Sequence, residues 1–304
     1  MFNALFRPII GSLSVIFYLL NTVFWVIPIV LLSFIKVIPW QAWQRLISYP
    51  LDACATNWIS VNSAIQALFS RTEIEVSGLE ELTLDDWYLV ISNHQSWVDI
   101  LVLQRIFNRK IPFLKFFLKQ ELIWVPFLGI AWWALDFPFM RRYSKSYLAK
   151  NPHMKGKDME TTRKACEKFR TKPVSVMNFV EGTRFDEQKK KKQNSAFEHL
   201  LRPKAGGIAF VLSAMGEQLN KVVDVTIYYP EGVPTFWDFA CGRVNNVQVK
   251  VSTHSIATLF EEKIFSMDYF TDSKQRARFH TWLNSVWVDK NEQLKLMHQP
   301  SGDK

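Results

Sequence analysis

Asn93-His94, with Asp99 five positions beyond the histidine, and Glu181-Gly182-Thr183-Arg184 are two short groups whose residue types can move protons and hold anions. An imidazole accepts and returns a proton near neutral pH. A carboxylate behind it fixes one tautomer and supports the charge that forms. Arginine offers phosphate a planar fork with a permanent charge, and a glycine beside it lets a ligand approach the backbone. The spacing constrains the first group: five helical positions turn about 500°, so a histidine and an aspartate both on a helix would point apart. His94 is therefore expected in a turn entering a helix, with Asp99 in the first helical turn reaching back. The plainer reading makes Ser96-Trp97-Val98-Asp99 a capping box in which Asp99 only satisfies backbone N–H groups. With six histidines in the chain, this His–Asp spacing also arises readily by chance. The plainer reading of the second group is a strand-end turn with a surface Glu–Arg pair.

Other cations stand where elements end. Arg141-Arg142 follows Phe137-Pro138-Phe139-Met140, and Lys204 precedes Ala205-Gly206-Gly207, which opens a helical pattern. Cations converging with a helix N-terminus outline a phosphate site. No glycine-rich P-loop occurs, which disfavours nucleotide hydrolysis. A metal hydrolase using His94, Asp99 and Glu181 is the weaker enzyme reading, because no second histidine stands at ligand spacing. Outside enzymes, the alternative is a lipid-binding scaffold without catalysis.

Each group directly follows an apolar run that reads as a buried strand, residues 88–92 and 174–180. Just past the carboxyl ends of strands is where α/β sheets bind ligands. Strand patterns are expected at 73–76, 87–92, 135–140, 173–180, 222–229 and 247–252. Helical patterns fall at 41–69, 97–107, 122–133, 158–170, 206–219, 256–264 and 274–296. The alternation implies βαβ units and an α/β fold with a mainly parallel sheet flanked by helices. The basic run Lys189 to Lys192 adjoins Gln193-Asn194-Ser195 and reads as a solvated loop, which argues against a nucleic-acid partner.

Residues 8–35 contain no charged side chain, and about 20 apolar residues suffice to cross a bilayer. The run is too long for a cleavable signal peptide. One reading is a single tilted span. The other uses Pro28 to break the run into two helices lying within one leaflet, with Trp40 and Trp43 at headgroup level. A buried helical hairpin of a soluble protein remains the bland alternative, though such helices usually carry a polar stripe. Arg7 against Lys36 and Arg45 leaves orientation open under the positive-inside rule. The net charge of +9 suits an anionic lipid surface. Cys54, Cys166 and Cys241 show neither a disulfide framework nor metal-ligand spacing, which suits a reducing compartment. The organisation expected is an N-terminal anchoring unit of membrane and amphipathic helices, 1–70, and a catalytic α/β unit, 71–304.

Together these blocks resemble the glycerophospholipid (1-acylglycerol-3-phosphate) acyltransferases. The residues that carry the resemblance are Asn93-His94 to Asp99, Phe139-Met140-Arg141-Arg142, residues 180–184, and Val225-Thr226-Ile227-Tyr228-Tyr229-Pro230. Lys119-Gln120-Glu121-Leu122 and Pro126-Phe127-Leu128-Gly129 are also similar to the family pattern. Residues 132–142, 156–162 and 224–230 look like the bacterial YihG-type acyltransferases and their kin, the lysocardiolipin acyltransferases. Two departures are Phe179-Val180 where the family often has Phe-Pro, and Asp224-Val225 opening the last block without its usual first proline. The resemblance implies a glycerolipid acyltransferase fold with His94 as general base and Asp99 behind it. It implies that Lys119, Arg142, Glu181, Gly182, Thr183, Arg184 and Lys204 hold substrate. It also implies a membrane lysophospholipid acceptor, an acyl-CoA or acyl-carrier-protein donor, and no metal or bound cofactor. Its bacterial members imply an inner membrane, with the catalytic unit on the cytoplasmic face.

Overall fold

The computed structural model describes residues 2–140, 166, 169, 172–216 and 218–298. Helix α1 (Phe2–Lys36) leads to α2 (Gln41–Phe69). Strands β1 (Glu73–Ser77) and β2 (Tyr88–Ser92) follow, then α3 (Val98–Phe107) and β3 (Leu114–Phe116). Next are β4 (Leu118–Lys119), the 3-10 turn Gln120–Trp124, α4 (Leu128–Ala134), β5 (Phe139–Met140) and β6 (Ser175–Phe179). Helices α5 (Glu187–Gln193) and α6 (Ala205–Met215), strand β7 (Lys221–Tyr228) and the short α7 (Phe236–Ala240) come before β8 (Asn246–Ser255). Helices α8 (Ile256–Glu261) and α9 (Ser273–His298) complete the described chain.

The main sheet runs β1-β8-β7-β2-β6-β3, parallel except for the β7–β8 pair. All five residues of β2 are buried, because apolar layers cover both faces. On one face Leu89, Ile91, Val176 and Val222 pack with residues of α6, α8 and α9, including the fully buried Trp287. On the other, Tyr88, Val90, Met177 and Val225 pack with α3 and Phe239 of α7.

α1 and α2 form a hairpin. Val26 and Ile29 of α1 meet Ile47, Leu51 and Ala55 of α2, with Ala131 and Ala134 of α4 against both. Asn21 Nδ2 donates to Asn62 Oδ1 (2.8 Å) and to the Trp58 carbonyl (3.0 Å), fixing the pairing at mid-length. At one end a Cβ on Gly11 would lie 2.5 Å from Cys241 Sγ, so only glycine lets α1 approach α7 so closely. At the other end Lys36 pairs with Asp136. The remaining surface of α1 is apolar and open: Phe24, Ile27, Leu31 and Phe34 are each more than half exposed.

Several local expectations fail for identifiable reasons. Pro28 does not divide the apolar run; α1 passes through it unbroken, with Val26 and Ile29 held in the hairpin core on either side. That packing offsets the hydrogen bond proline cannot donate. The helix expected at 122–133 is interrupted at Pro126-Phe127, where Phe127 adopts φ 62°, and only Leu128–Ala134 is α-helical. The strand expected from 135 shrinks to Phe139–Met140, paired only with β4. Lys189 to Lys192 lies in α5 rather than in a loop: Asp186 accepts from Gln188 N (2.7 Å) to cap its start, and Asn194 in the left-handed region closes its end. The helix expected at 158–170 lies outside the described residues.

Candidate active site

Register brings the two sequence groups level. β2 and β6 are neighbours with Ser92 opposite Phe179, so His94 and Glu181, each two residues further, emerge together at the carboxyl ends of parallel strands. β7, on the other side of β2, places Val225 opposite Ser92 and runs on past it. Asn93 ties the seam by donating Nδ2 to the Ile227 carbonyl and accepting the Ile227 N–H, both at 2.9 Å. The turn holding the histidine is thus fastened to the next strand by two hydrogen bonds to one residue.

Asp99 does both jobs that the sequence offered as alternatives. Its Oδ2 accepts from Gln95 N (2.6 Å) and Ser96 N (2.9 Å), capping the approach to α3, and lies 2.8 Å from His94 Nδ1. Its Oδ1 accepts the Tyr229 hydroxyl at 2.6 Å. Asp99 is fully buried, and four donors satisfy the negative charge that burial would otherwise penalise. With Asp99 as acceptor, the proton of the neutral imidazole sits on Nδ1, leaving Nε2 as the basic nitrogen. No described residue hydrogen-bonds Nε2. One face of the ring is covered by Phe179, stacked at 3.8 Å between centroids. The His94 side chain retains 12% of its exposure.

Glu181 points inward. It is completely buried, accepting from His94 N at 3.4 Å and Leu201 N at 3.3 Å, and burial lifts its carboxyl to about 8. It ties the turn that carries His94 to the turn carrying Arg184 without facing the space over the ring. The same two turns are joined by the Phe185 N–H donating to the His94 carbonyl at 2.6 Å.

The outward side of this turn is cationic. Gly182 has φ 70°, and a Cβ there would come within 3.1 Å of Lys204 Nζ, so the lysine stem lies across the glycine. Arg184 places its guanidinium 5.0 Å from the Trp97 ring centroid. Lys189 reaches from α5 to Thr183 Oγ1 (3.2 Å) and the Arg184 carbonyl (3.0 Å). His94, Asp99, Glu181, Gly182, Thr183, Arg184 and Lys204 are therefore brought together. Lys119 lies apart in the small β4–β5 sheet, and no contact joins it to the His94 group among the described residues. Arg142 lies outside the described residues. Sequence reasoning missed three members of this environment: Tyr229, Phe179 and Lys189. Tyr229 stands inside a motif already singled out, and Lys189 was legible in the Asp186 and Asn194 caps.

Neighbouring parallel strands here present a carboxylate-backed imidazole beside a cluster of cations, an arrangement suited to moving a proton next to a bound anion. Residues 73–230, more than half of the chain, match the family model described as Acyltransferase. The protein belongs to that family, within the glycerophospholipid acyltransferase superfamily. It is 24% identical over 297 residues to the lysocardiolipin acyltransferase 1 of Mus musculus, covering 92% of this chain and 70% of that one. It is 26% identical over 199 residues to a probable 1-acyl-sn-glycerol-3-phosphate acyltransferase 5 of Arabidopsis thaliana, covering 61% of this chain and 50% of that one. Among solved structures, the 1-acyl-sn-glycerophosphate acyltransferase PlsC of Thermotoga maritima shares the fold. The TM-score is 0.53 at 16% identity, covering 95% of this chain and 98% of that one.

Proposed function

We propose that this protein is a membrane-associated O-acyltransferase moving a fatty acyl group from acyl-CoA or acyl-carrier-protein to the free hydroxyl of a lysophospholipid, with 1-acylglycerol-3-phosphate as acceptor and phosphatidic acid as product. The observation that carries the reading is the His94–Asp99 contact with Nε2 left open at the carboxyl ends of β2 and β6. His94 takes the acceptor's hydroxyl proton as its oxygen attacks the thioester carbonyl. A C–O bond forms, the C–S bond breaks, and the histidine hands the proton to the departing thiolate. Asp99 supports the imidazolium between these events, and Tyr229 keeps the carboxylate from turning away. Arg184 and Lys204 receive the acceptor's phosphate, and Gly182 allows it to come close to the backbone. Arg142 is assigned the same task by its place in the sequence after β5, and Lys119, on the strand that pairs with β5, is assigned a place in substrate binding away from the phosphate. The relatives named lysocardiolipin acyltransferase favour a second acceptor class, a lysophospholipid with a larger headgroup.

Membrane association is supported by α1, which is 31 residues long in its apolar part with mean hydropathy 2.4, yet only 17% of its most apolar window is buried. A core helix of a soluble protein would be covered. The catalytic unit touches α1 near both ends, at Gly11 and at Lys36, and α2 covers its middle. A helix flanked by the folded body along its whole length lies in the interface rather than across the bilayer. Taking the lipid acceptor there spares it the cost of leaving the bilayer. We assign this surface to the cytoplasmic face of a bacterial inner membrane.

The test is acyl transfer from labelled acyl-CoA and acyl-carrier-protein to a panel of lysophospholipids in vesicles. His94→Ala should lower turnover on the order of 10²–10⁴-fold, the contribution typical of a general base. Asp99→Asn should also lower it strongly. Full activity of His94→Ala would overturn His94 as the base, and no acyl transfer by the parent protein would leave a lipid-binding scaffold as the reading.

A further inference from the structure

A second cationic cavity, of about 490 Å³, opens at the amino end of β6, whereas His94 lies past the carboxyl end of the neighbouring β2. Lys36, Arg45, Lys115, Lys172 and Asp136 contribute to its wall, beside Trp133. Val174, directly before β6, also lines it, whereas Glu181 follows β6. Six residues lie between the two, five of them the strand β6, a distance of roughly 20 Å. Among the described residues, none of the cations assigned above to the acceptor's phosphate belongs to this wall.

Charge is out of balance here. Among the described residues, Lys36 pairs with Asp136 and Lys172 with Asp52, while Arg45 has no carboxylate partner. Lys115 is 3% exposed; among the described residues its ammonium donates to the Leu135 carbonyl at 2.8 Å and lies 5.2 Å from the Phe169 ring, while Asp52 and Asp136 favour its charge without hydrogen-bonding to it. Burial pushes Lys115 down to about 8 and lowers Lys172 as well, the response of ammonium groups held away from water. A buried cation with no carboxylate hydrogen-bonded to it is costly, and an anion that joins it lowers that cost. Among the described residues, four cations stand against two carboxylates, which suits a singly or doubly charged group. The mouth is placed for a lipid: it lies at the turn between α1 and α2, where Val37, Trp40 and Trp133 are each more than half exposed. Exposed tryptophan and aliphatic side chains around a basic pocket are the arrangement that seats a headgroup at a membrane surface.

We propose that this cavity binds the phosphate of an anionic membrane phospholipid, as a site separate from the one where acyl transfer takes place. The proposal rests on the interfacial position of α1 and α2 and not on the catalytic roles. The lipid's phosphate joins Lys115, Lys172 and Arg45, with its glycerol portion leaving past Trp133 toward the surrounding leaflet. Occupation locks the α1–α2 turn onto β3 and α4.

The full-length protein in neutral detergent is titrated with dihexanoyl-phosphatidylglycerol, dihexanoyl-phosphatidylcholine and inorganic phosphate, with thermal melting as the readout. Phosphatidylglycerol should raise Tm in a saturable way, phosphatidylcholine should not, and Arg45→Glu, at the exposed mouth, should weaken the effect at least tenfold in concentration. Lys115→Met should abolish it. His94→Ala and the double variant Arg184→Ala/Lys204→Ala should keep the shift. An equal shift with phosphatidylcholine, or with Arg45→Glu, overturns the proposal. A shift that inorganic phosphate reproduces in full overturns the lipid assignment, and one lost in Arg184→Ala/Lys204→Ala assigns the binding to the catalytic site instead. Because melting does not depend on turnover, failure of acyl transfer and failure of this site read separately.

Discussion

Glu181→Gln should reverse sign with pH. In the folded protein burial lifts this carboxyl to about 8 from an ordinary value of 4.5. Between those limits the native state keeps a proton that the unfolded chain has released. The unfolded state binds fewer protons there, so stability falls as pH rises, and levels off once the native group ionises near pH 8. The interval of 4.5 to about 8 is about 3.5 pH, and at 1.36 kcal/mol for each it sets a ceiling of about 5 kcal/mol. Glutamine cannot titrate and removes this slope. It brings its own cost, because its amide nitrogen must face one of the two backbone donors, His94 N or Leu201 N, that the carboxylate oxygens now serve. A buried N–H left without an acceptor costs about 1–3 kcal/mol. The variant should therefore be less stable than the parent at pH 5 and more stable at pH 8.5. Thermal melting of both proteins in the same detergent, at steps from pH 5 to 9, measures the difference while cancelling every other titrating group. At about 2 °C per kcal/mol for a chain of this size, the crossover spans several degrees. Parallel curves would refute the buried, proton-holding state of Glu181.

Tyr229→Phe removes the 2.6 Å hydrogen bond to Asp99 Oδ1 and should cost about 1.5–3 kcal/mol of stability. It should also lower kcat at unchanged acceptor KM; an unchanged kcat would mean that the other three donors alone hold the carboxylate. Arg184→Ala and Lys204→Ala should each raise the acceptor's KM about ten- to a hundredfold, because the phosphate contact exists in both ground and transition states. A rise in the donor's KM alone would move both residues to the acyl-donor side.

The parts of the fold legible in the sequence are those with local causes. The helix at Gln41–Phe69 and the buried strand before Asn93 announce themselves by periodicity and by the turn residues that bound them. His94 and Asp99 were legible because five residues suffice to state their relation. Tyr229 was not, because it lies 130 residues from Asp99, and only the placement of β7 beside β2 brings them together. The antiparallel β7–β8 pairing likewise depends on strand order, which no local pattern carries. Proline misled in one case and not in another. Pro28 lies in a helix held by a hairpin core on both sides of it, whereas Pro126 lies where the surrounding turn already bends and Phe127 takes a positive φ. Burial around the residue, rather than its type, decides whether the helix survives.

His94 has a single way in. Its Nδ1 is committed to Asp99 and one ring face to Phe179, so Nε2 is the only nitrogen a substrate can use. On the proposed direct transfer, the proton taken from the acceptor and the proton given to the leaving thiolate pass through that one atom, so the hydroxyl oxygen and the thioester sulfur come within its reach in one encounter. Neither substrate can wait for the other to depart. Initial-rate plots against both substrates should intersect rather than run parallel, and a thiol product left in place should block the acceptor's position. The kinetic order that the proposed direct transfer requires is therefore a complex of the protein with both substrates, whereas parallel plots would point to an acyl-enzyme and overturn it.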